Sequence, residues 1–265
     1  MSDISSHKSP RTQSAALPAV SVVVPVLNEA ENILPLVQEI TDALTGVEDF
    51  EIIYVDDGST DATRQVLAEL AKTISELRFL RHQKRAGQSA AVRSGVEAAT
   101  FPLIATLDGD GQNVPADIPD LLHLYLRDAA PDGKLLVAGW RKGRKDSWSK
   151  RMASKIANGV RSAMLGDQTP DTGCGLKVFR RLDYLAFPAF NHMHRFLPAL
   201  MLRAGGRVLS ANVAHRPRQQ GVSNYGVFDR LWVGINDLFG VAWLIRRTLS
   251  VEIETMTAAD QKSVK

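Results

Sequence analysis

The chain has 265 residues, enough for one substantial core, and its 45% apolar and 23% charged residues are the balance of a soluble globular domain with a short C-terminal extension. A formal charge of only +3 argues against a nucleic-acid-binding surface, and the single cysteine, Cys174, excludes an internal disulfide and suits a reducing cytoplasm. The positive residues are nonetheless grouped, at Arg141–Arg151, at Lys177, Arg180 and Arg181, and at Arg216–Arg218, which fits a diphosphate or an anionic membrane surface better than DNA.

Residues 1–18 are polar, with scattered Ser, Lys and Arg and no apolar run, so they read as a disordered tail and not as a secretory leader. Val20–Leu27 (VSVVVPVL) is mostly β-branched, as suits a parallel strand buried on both faces. Asn28–Leu44 then spaces Ile33, Leu36, Val37, Ile40 and Leu44 at helical intervals. Glu51–Val55 is a second strand running into Asp56-Asp57-Gly58, and Ser59 or Thr60 can cap a helix to about Lys72. A third strand is expected at Leu77–Arg81, a helix at about Gln88–Ala99, and a fourth strand at Leu103–Leu107 ending in Asp108-Gly109-Asp110-Gly111. Pro115 opens a helix to about Arg127, and Lys134–Gly139 makes a fifth strand. This alternation with short connections predicts an α/β fold: a doubly wound, mostly parallel twisted sheet with helices on both faces.

Further on, Trp148–Leu165 reads as helix, Gly175–Phe179 as strand, Met193–Arg203 as helix, Arg207–Val213 as strand and Ala214–Gly226 as a polar loop. Val227–Arg247 reads as an amphipathic helix crowded with bulky apolar residues. Its most apolar part, Leu231–Ile245, is interrupted by Asn236 and Asp237 and is shorter than the ~18–20 residues of a membrane span, so no span is expected. The expected organisation is a tail at 1–18, one domain at 19–226, the amphipathic helix at 227–250 and a flexible tail at 251–265.

Ligands of open α/β sheets bind outside the carboxyl ends of the strands, and the acidic clusters fall there. Asp108 and Asp110 flank a glycine directly after a buried strand, with Gln112 two positions on. Two carboxylates so placed, with an amide oxygen, can face one Mg²⁺ or Mn²⁺ that bridges donor phosphates. The plain alternative is a solvated acidic turn. Asp56 and Asp57 end the second strand, where carboxylates accept hydrogen bonds from a base or ribose, while Asp61 is explained equally well as a helix cap. Pro25, Asn28 and Glu29 stand at the end of the first strand.

Together VVVPVLNEAENI, VDDGSTD and LDGDGQ resemble glycosyltransferase family 2, and within it the polyprenyl-phosphate and dolichyl-phosphate glycosyltransferases, over about Val20–Tyr225. The resemblance implies a GT-A type, Rossmann-like fold, with Pro25, Asn28, Glu29, Asp56, Asp57 and Asp108 on the nucleotide-sugar donor (UDP- or GDP-linked) and Asp108, Asp110 and Gln112 as the metal set. It implies that Arg141 reaches the donor phosphates, a role guanidinium geometry supports and a solvated basic turn would equally explain. It also places Asp171 on the acceptor side, as base or orienting residue, with a loop hydrogen bond as the alternative. Lys177 stands where an arginine is frequent. RQQGVSNY resembles the family's R-x-x-G-x-S-x-Y loop, with Arg218, Ser223 and Tyr225 facing the acceptor and Asn224 where a basic residue is usual.

The expected activity is inverting transfer of a sugar from a nucleoside diphosphate to a polyprenyl phosphate, with Asp110, Arg141 and Asp171 nearest the chemistry. Three other readings stay open: transfer to a sugar hydroxyl in polysaccharide assembly, a nucleotide-sugar-binding regulatory subunit without turnover, and a nucleotidyltransferase. The missing Q-x-x-R-W segment, the intact Asp108/Asp110 pair and PVLNEAEN in place of a Gly-rich loop count against them in turn. His192 and His194, two apart with no cysteine near, make a poor zinc site, and Cys174 reads as structural. The C-terminal helix packs on the core or lies in a membrane interface, with Arg230, Arg246 and Arg247 toward anionic headgroups. A peripheral protein on the cytoplasmic face of the plasma or inner membrane is expected, with room for a separate membrane-protein partner.

Overall fold

The computed structural model describes residues 17–142, 159–217 and 227–247, with side chains throughout these except at 227–233. The chain forms two compact units, Met1–Asn224 and Tyr225–Lys265. In the first, β1 (Val20–Val26), β2 (Phe50–Asp56), β3 (Leu77–Arg81), β4 (Leu103–Thr106), β5 (Leu135–Trp140), β6 (Lys177–Arg180) and β7 (Arg207–Asn212) form one sheet in the order β3-β2-β1-β4-β6-β5-β7. All run parallel except β6, which is inserted between β4 and β5 and runs against both. The mostly parallel sheet read from the sequence is present; the direction of β6 was not legible there.

Successive side chains of a strand point to opposite faces, and the core divides accordingly. Val20, Val22, Val24, Ile52, Tyr54, Ala105 and Val137 pack on one face with Ile33, Leu36, Val37 and Ile40 of α1 (Ala30–Ala43), Leu67 of α2 (Thr63–Leu70) and Leu121 and Leu122 of α4 (Ile118–Asp128). On the other face lies α3 (Gln88–Ala98): a Cβ at its Gly95 would collide with Val23 and press on Val55. That face also takes α5 (Arg181–Leu185), whose Tyr184 stacks on Phe179 at 5.2 Å between ring centroids.

Several element boundaries differ from the sequence reading, two of them in helices near the ends of the strands. The helix expected from Ser59 begins at Thr63, and neither Ser59 nor Thr60 caps it. Ser59 Oγ instead accepts the Asn28 N–H (2.9 Å), Thr60 N–H donates to Asn28 Oδ1 (2.8 Å), and Asp61 accepts the Thr63 N–H (3.0 Å). The single helix expected over Met193–Arg203 is a 3₁₀ turn at Met193–Arg195 followed by α6 (Leu197–Arg203), with Pro198 in the first helical turn, where no N–H is required. Residues 159–165 are helical; the rest of the helix expected from Trp148 lies outside the described residues.

The amino ends of the strands carry a satisfied structural network. Glu51 accepts Ser21 Oγ–H (2.6 Å), Thr100 N–H (2.6 Å) and Arg78 Nε–H (2.7 Å). Burial pushes its pKa up, but Arg78, Ser21 and Thr100 outweigh that and hold it below the ordinary value. In the second unit the described element is α7 (Val227–Arg246).

Candidate active site

The antiparallel strand brings the site together. Lys177, the first residue of β6, is level with Thr106 at the carboxyl end of β4 and with Ala138 of β5. The segment preceding β6 therefore meets the segment following β4. Thr106 Oγ donates to the Gly175 carbonyl at 2.6 Å, and a Cβ at Gly175 would fall inside the Asp108 carboxyl, so only glycine permits this approach. Gln88, which opens α3, donates to Asp108 Oδ1 at 2.9 Å, and the Asp108 N–H donates to Asn113 Oδ1 at 3.3 Å.

Asp110 turns back on its own loop, accepting the Gln112 N–H at 3.1 Å. Burial first, and then the charge of Asp110, push the Asp108 pKa up, against Lys177, Arg141 and Gln88, which pull it down. A carboxylate raised by a like-charged neighbour is an electrostatic setting that a cation relieves. Among the described residues no three or more His, Cys, Asp or Glu converge as a ready-made cage. Two carboxylates and an amide instead match the protein ligands Mg²⁺ takes at phosphate-transfer sites, where water and phosphate complete its shell, so the donor set fits such an ion.

Arg141 follows β5 and donates from Nε to Asp171 Oδ2 (2.7 Å) and from Nη2 to Asp171 Oδ1 (2.8 Å), a fork-to-fork ion pair with both side chains largely buried. The pair sets the state of Asp171. Burial pushes its carboxyl up, but hydrogen bonds and charge from Arg141, aided by Lys177, hold it below the ordinary carboxylate value. Both carboxyl oxygens of Asp171 accept from Arg141, which holds the guanidinium in one orientation. Two of the five guanidinium N–H groups meet Asp171, through Nε and Nη2. Beneath this loop Arg161 donates to Thr172 Oγ1 and lies 3.5 Å from Asp167.

Lys177 is buried, and its Nζ donates to the Cys174 carbonyl. Burial pulls its pKa down, while Cys174, Asp108 and Asp171 pull it up. Cys174 is buried beside Asn113 Nδ2 (3.7 Å), and burial raises its thiol pKa, as in a structural and unreactive cysteine. His194 lies on the same side: burial first, then the charge of Lys177 and Arg195, pulls it down to about 3, so it is neutral. Ser89 Oγ accepts the His194 N–H (3.2 Å) and shares a hydrogen bond with the ring Nδ1 (2.7 Å).

On the donor side the acidic residues are mostly occupied within the protein. Asp56 is fully buried, with Oδ1 accepting the Ser59 N–H (2.8 Å) and Oδ2 3.3 Å from Arg81, so it helps to build the turn. Asp57 gathers Ala86 N–H (2.8 Å), Gly87 N–H (2.8 Å) and His82 Nδ1 (2.7 Å), and thereby fixes residues 82–87 next to it. Glu29 is buried and accepts Asn32 Nδ2–H at 2.6 Å, while Asn28 is exposed, with φ of 57°. Pro25 is half-buried, with its carbonyl beneath Gly109. Arg218, Ser223 and Tyr225 lie outside the described residues.

Gln88, Gly175, Arg161 and the Ser89–His194 pair were not singled out from the sequence. The one signal available for the Gly175 contact was the small-residue run Thr172-Gly173-Cys174-Gly175 before a strand, which marks close approach of another backbone.

The glycosyl transferase family 2 profile matches residues 21–184. The chain is 36% identical over 235 residues to dodecaprenyl-phosphate galacturonate synthase of Rhizobium johnstonii, covering 86% of this chain and 67% of that one. It is 34% identical over 210 residues to undecaprenyl-phosphate 4-deoxy-4-formamido-L-arabinose transferase of Aeromonas hydrophila, covering 78% of this chain and 63% of that one. The chain thus spans about two thirds of the first relative's length and less of the second's. Among solved structures, glucosyl-3-phosphoglycerate synthase of Mycobacterium tuberculosis with Mn²⁺, UDP and phosphoglyceric acid superimposes with a TM-score of 0.61 at 20% identity, over 88% of this chain and 80% of that one. Its UDP complex gives 0.58 at 19% identity, over 91% and 84%. At that identity the likeness is one of fold, which is the GT-A type.

Proposed function

Because the chain belongs to glycosyltransferase family 2, we propose that it moves a sugar, with inversion, from a nucleoside diphosphate to a polyprenyl phosphate. The observation that supports this most is one of charge: the Asp108/Asp110 pair lies at the strand ends within electrostatic reach of Arg141 and Lys177. Cations beside a carboxylate pair suit a substrate that is a diphosphate on one side and a phosphate monoester on the other. The relatives named for dodecaprenyl and undecaprenyl phosphate supply the acceptor class.

Asp108, Asp110 and Gln112 would hold Mg²⁺ or Mn²⁺, which when bound supplies positive charge to the departing diphosphate. Arg141, oriented by Asp171, donates to phosphate oxygens from its remaining N–H groups. Lys177 adds a buried ammonium. Asp57 shapes residues 82–87 as a wall of the nucleoside pocket, while Pro25, Asn28 and Glu29 border it. No protein base is needed: a phosphate monoester has a second pKa of roughly 6 and is a dianion at neutral pH. Its oxygen attacks the anomeric carbon as the bond to the diphosphate breaks, and catalysis rests on positioning and on charge stabilisation. Arg218, Ser223 and Tyr225 are proposed to meet the acceptor.

No helix among the described residues is long and apolar enough to cross a membrane. Phe239 and Trp243, one helical turn apart on α7, are exposed, Arg246 ends the helix, and Arg247 lies 5.8 Å from the Trp243 ring centroid. We place this helix at an anionic membrane surface, on the cytoplasmic side. The function is tested by incubating the protein with UDP- and GDP-sugars, Mn²⁺ and either a polyprenyl phosphate or sugar-hydroxyl acceptors. A glycosyl-phosphoryl lipid is expected; product on a hydroxyl acceptor alone would replace this reading with polysaccharide assembly.

A further inference from the structure

The loop Asp108–Asn113 is held from outside by one arginine that sequence reading left unassigned beyond its charge. Arg216 N–H donates to the Gln112 carbonyl at 3.1 Å, and its Nε donates to the Gly111 carbonyl. One residue therefore takes both consecutive carbonyls at the turn between Asp110 and Gln112. Its Nη2 reaches Glu39 Oε2 of α1 at 2.8 Å, which fixes the guanidinium in that direction. Neighbouring contacts stitch the same two segments together: Asn113 and His215 form an antiparallel bridge, and the Ala214 N–H donates to Asp117 Oδ2 at 2.7 Å. Gly111 has φ of 71°, a backbone state that is soft without external support, and Arg216 provides that support on its carbonyl.

The contribution of the Glu39–Arg216 pair to overall stability is small. Both side chains are about a third exposed, and such pairs contribute ~0–1 kcal/mol. Aiming a loop is a different matter, because partners one layer behind metal-binding groups typically change metal affinity about 10–100-fold. We infer that Arg216, oriented by Glu39, is a positioning residue that holds the Asp110–Gln112 turn in the geometry for a divalent cation. The inference rests on the metal-bound reading of Asp108, Asp110 and Gln112.

The test is Mn²⁺ binding without turnover, read from loss of the free-ion EPR signal at saturating UDP, and again with GDP. Wild type is expected to bind, and Asp110→Ala to bind nothing. Arg216→Ala should weaken binding about tenfold. Arg216→Lys, which can reach one partner at a time, should fall between the two, and Glu39→Gln should weaken binding less than Arg216→Ala while leaving the thermal midpoint close to wild type. Wild-type affinity in both Arg216→Ala and Glu39→Gln would overturn the inference alone. Absence of Mn²⁺ binding by the wild type with either nucleotide would overturn the metal reading and this inference with it. If Arg216→Ala does not fold, Glu39→Gln decides: unchanged affinity counts against Arg216 as a positioning residue.

Discussion

Gly175 is the residue on which the geometry of Asp108 depends most directly. A methyl group there would occupy the space of the Asp108 carboxyl, and overpacking of this kind costs about 1–3 kcal/mol. Gly175→Ala should therefore remain folded with a modestly lowered thermal midpoint and lose most turnover, since the carboxylate must move away from Gln88. Turnover at the wild-type level would show that the position of Asp108 is not critical. Asp171 gives a pH-dependent test. Its folded pKa is depressed below 3.8, so the stability it contributes is present above that value and is lost as pH falls through the folded value. Replacing it by Asn leaves Arg141 buried without its counter-charge, and the variant should be about 3 kcal/mol less stable at pH 7. That gap should close as pH drops below about 4; a gap independent of pH would mean that the contribution is packing and not charge. At this scale the sequence marked Asp108, Asp110, Arg141 and Asp171 but not their partners. The missing information was long-range: Gln88, Gly175 and Arg216 reach this cluster from elements far away in the chain, and no local pattern records such contacts.

Helix and strand positions were largely legible because hydrophobic periodicity is local. Ile33, Leu36, Val37 and Ile40, spaced as one helical face, are the buried residues of α1, and the β-branched Val20–Val26 is a buried strand. The direction of β6 was not legible, since strand–helix alternation stops after β5 and a four-residue strand carries no record of its orientation. That orientation matters to function, as it alone brings Gly175 and Lys177 to the end of β4. The start of α2 shifted because the capping role falls to Asp61, which the sequence also offered, and not to Ser59 or Thr60. Asp61 accepts the Ala30 N–H at 3.3 Å as well as the Thr63 N–H, serving the first turns of two helices. Asp61→Ala should cost about 1–2 kcal/mol, the range of a lost N-cap, with turnover of the folded enzyme little changed. A large loss of turnover at unchanged stability would instead make Asp61 part of the donor site.

At the scale of the whole molecule, one chain without a membrane-spanning helix among its described residues must serve both a nucleotide-sugar site and a lipid surface. If α7 meets anionic lipid, replacing Phe239 and Trp243 by Ser should abolish flotation with anionic vesicles. Wild-type flotation should weaken with salt, since each basic residue at such a surface contributes about 1 kcal/mol. Equal flotation of the variant would move the contact elsewhere. The central claim, that the nucleophile is a lipid phosphate activated by its own charge, is tested most directly with a matched pair of acceptors. Polyprenyl phosphate and the corresponding polyprenol are each incubated with the sugar donor and Mn²⁺, and the product is followed by mass spectrometry across pH. Product is expected with the phosphate only, rising to a plateau above about pH 6 as the acceptor becomes dianionic. Comparable product from the free alcohol would contradict that claim.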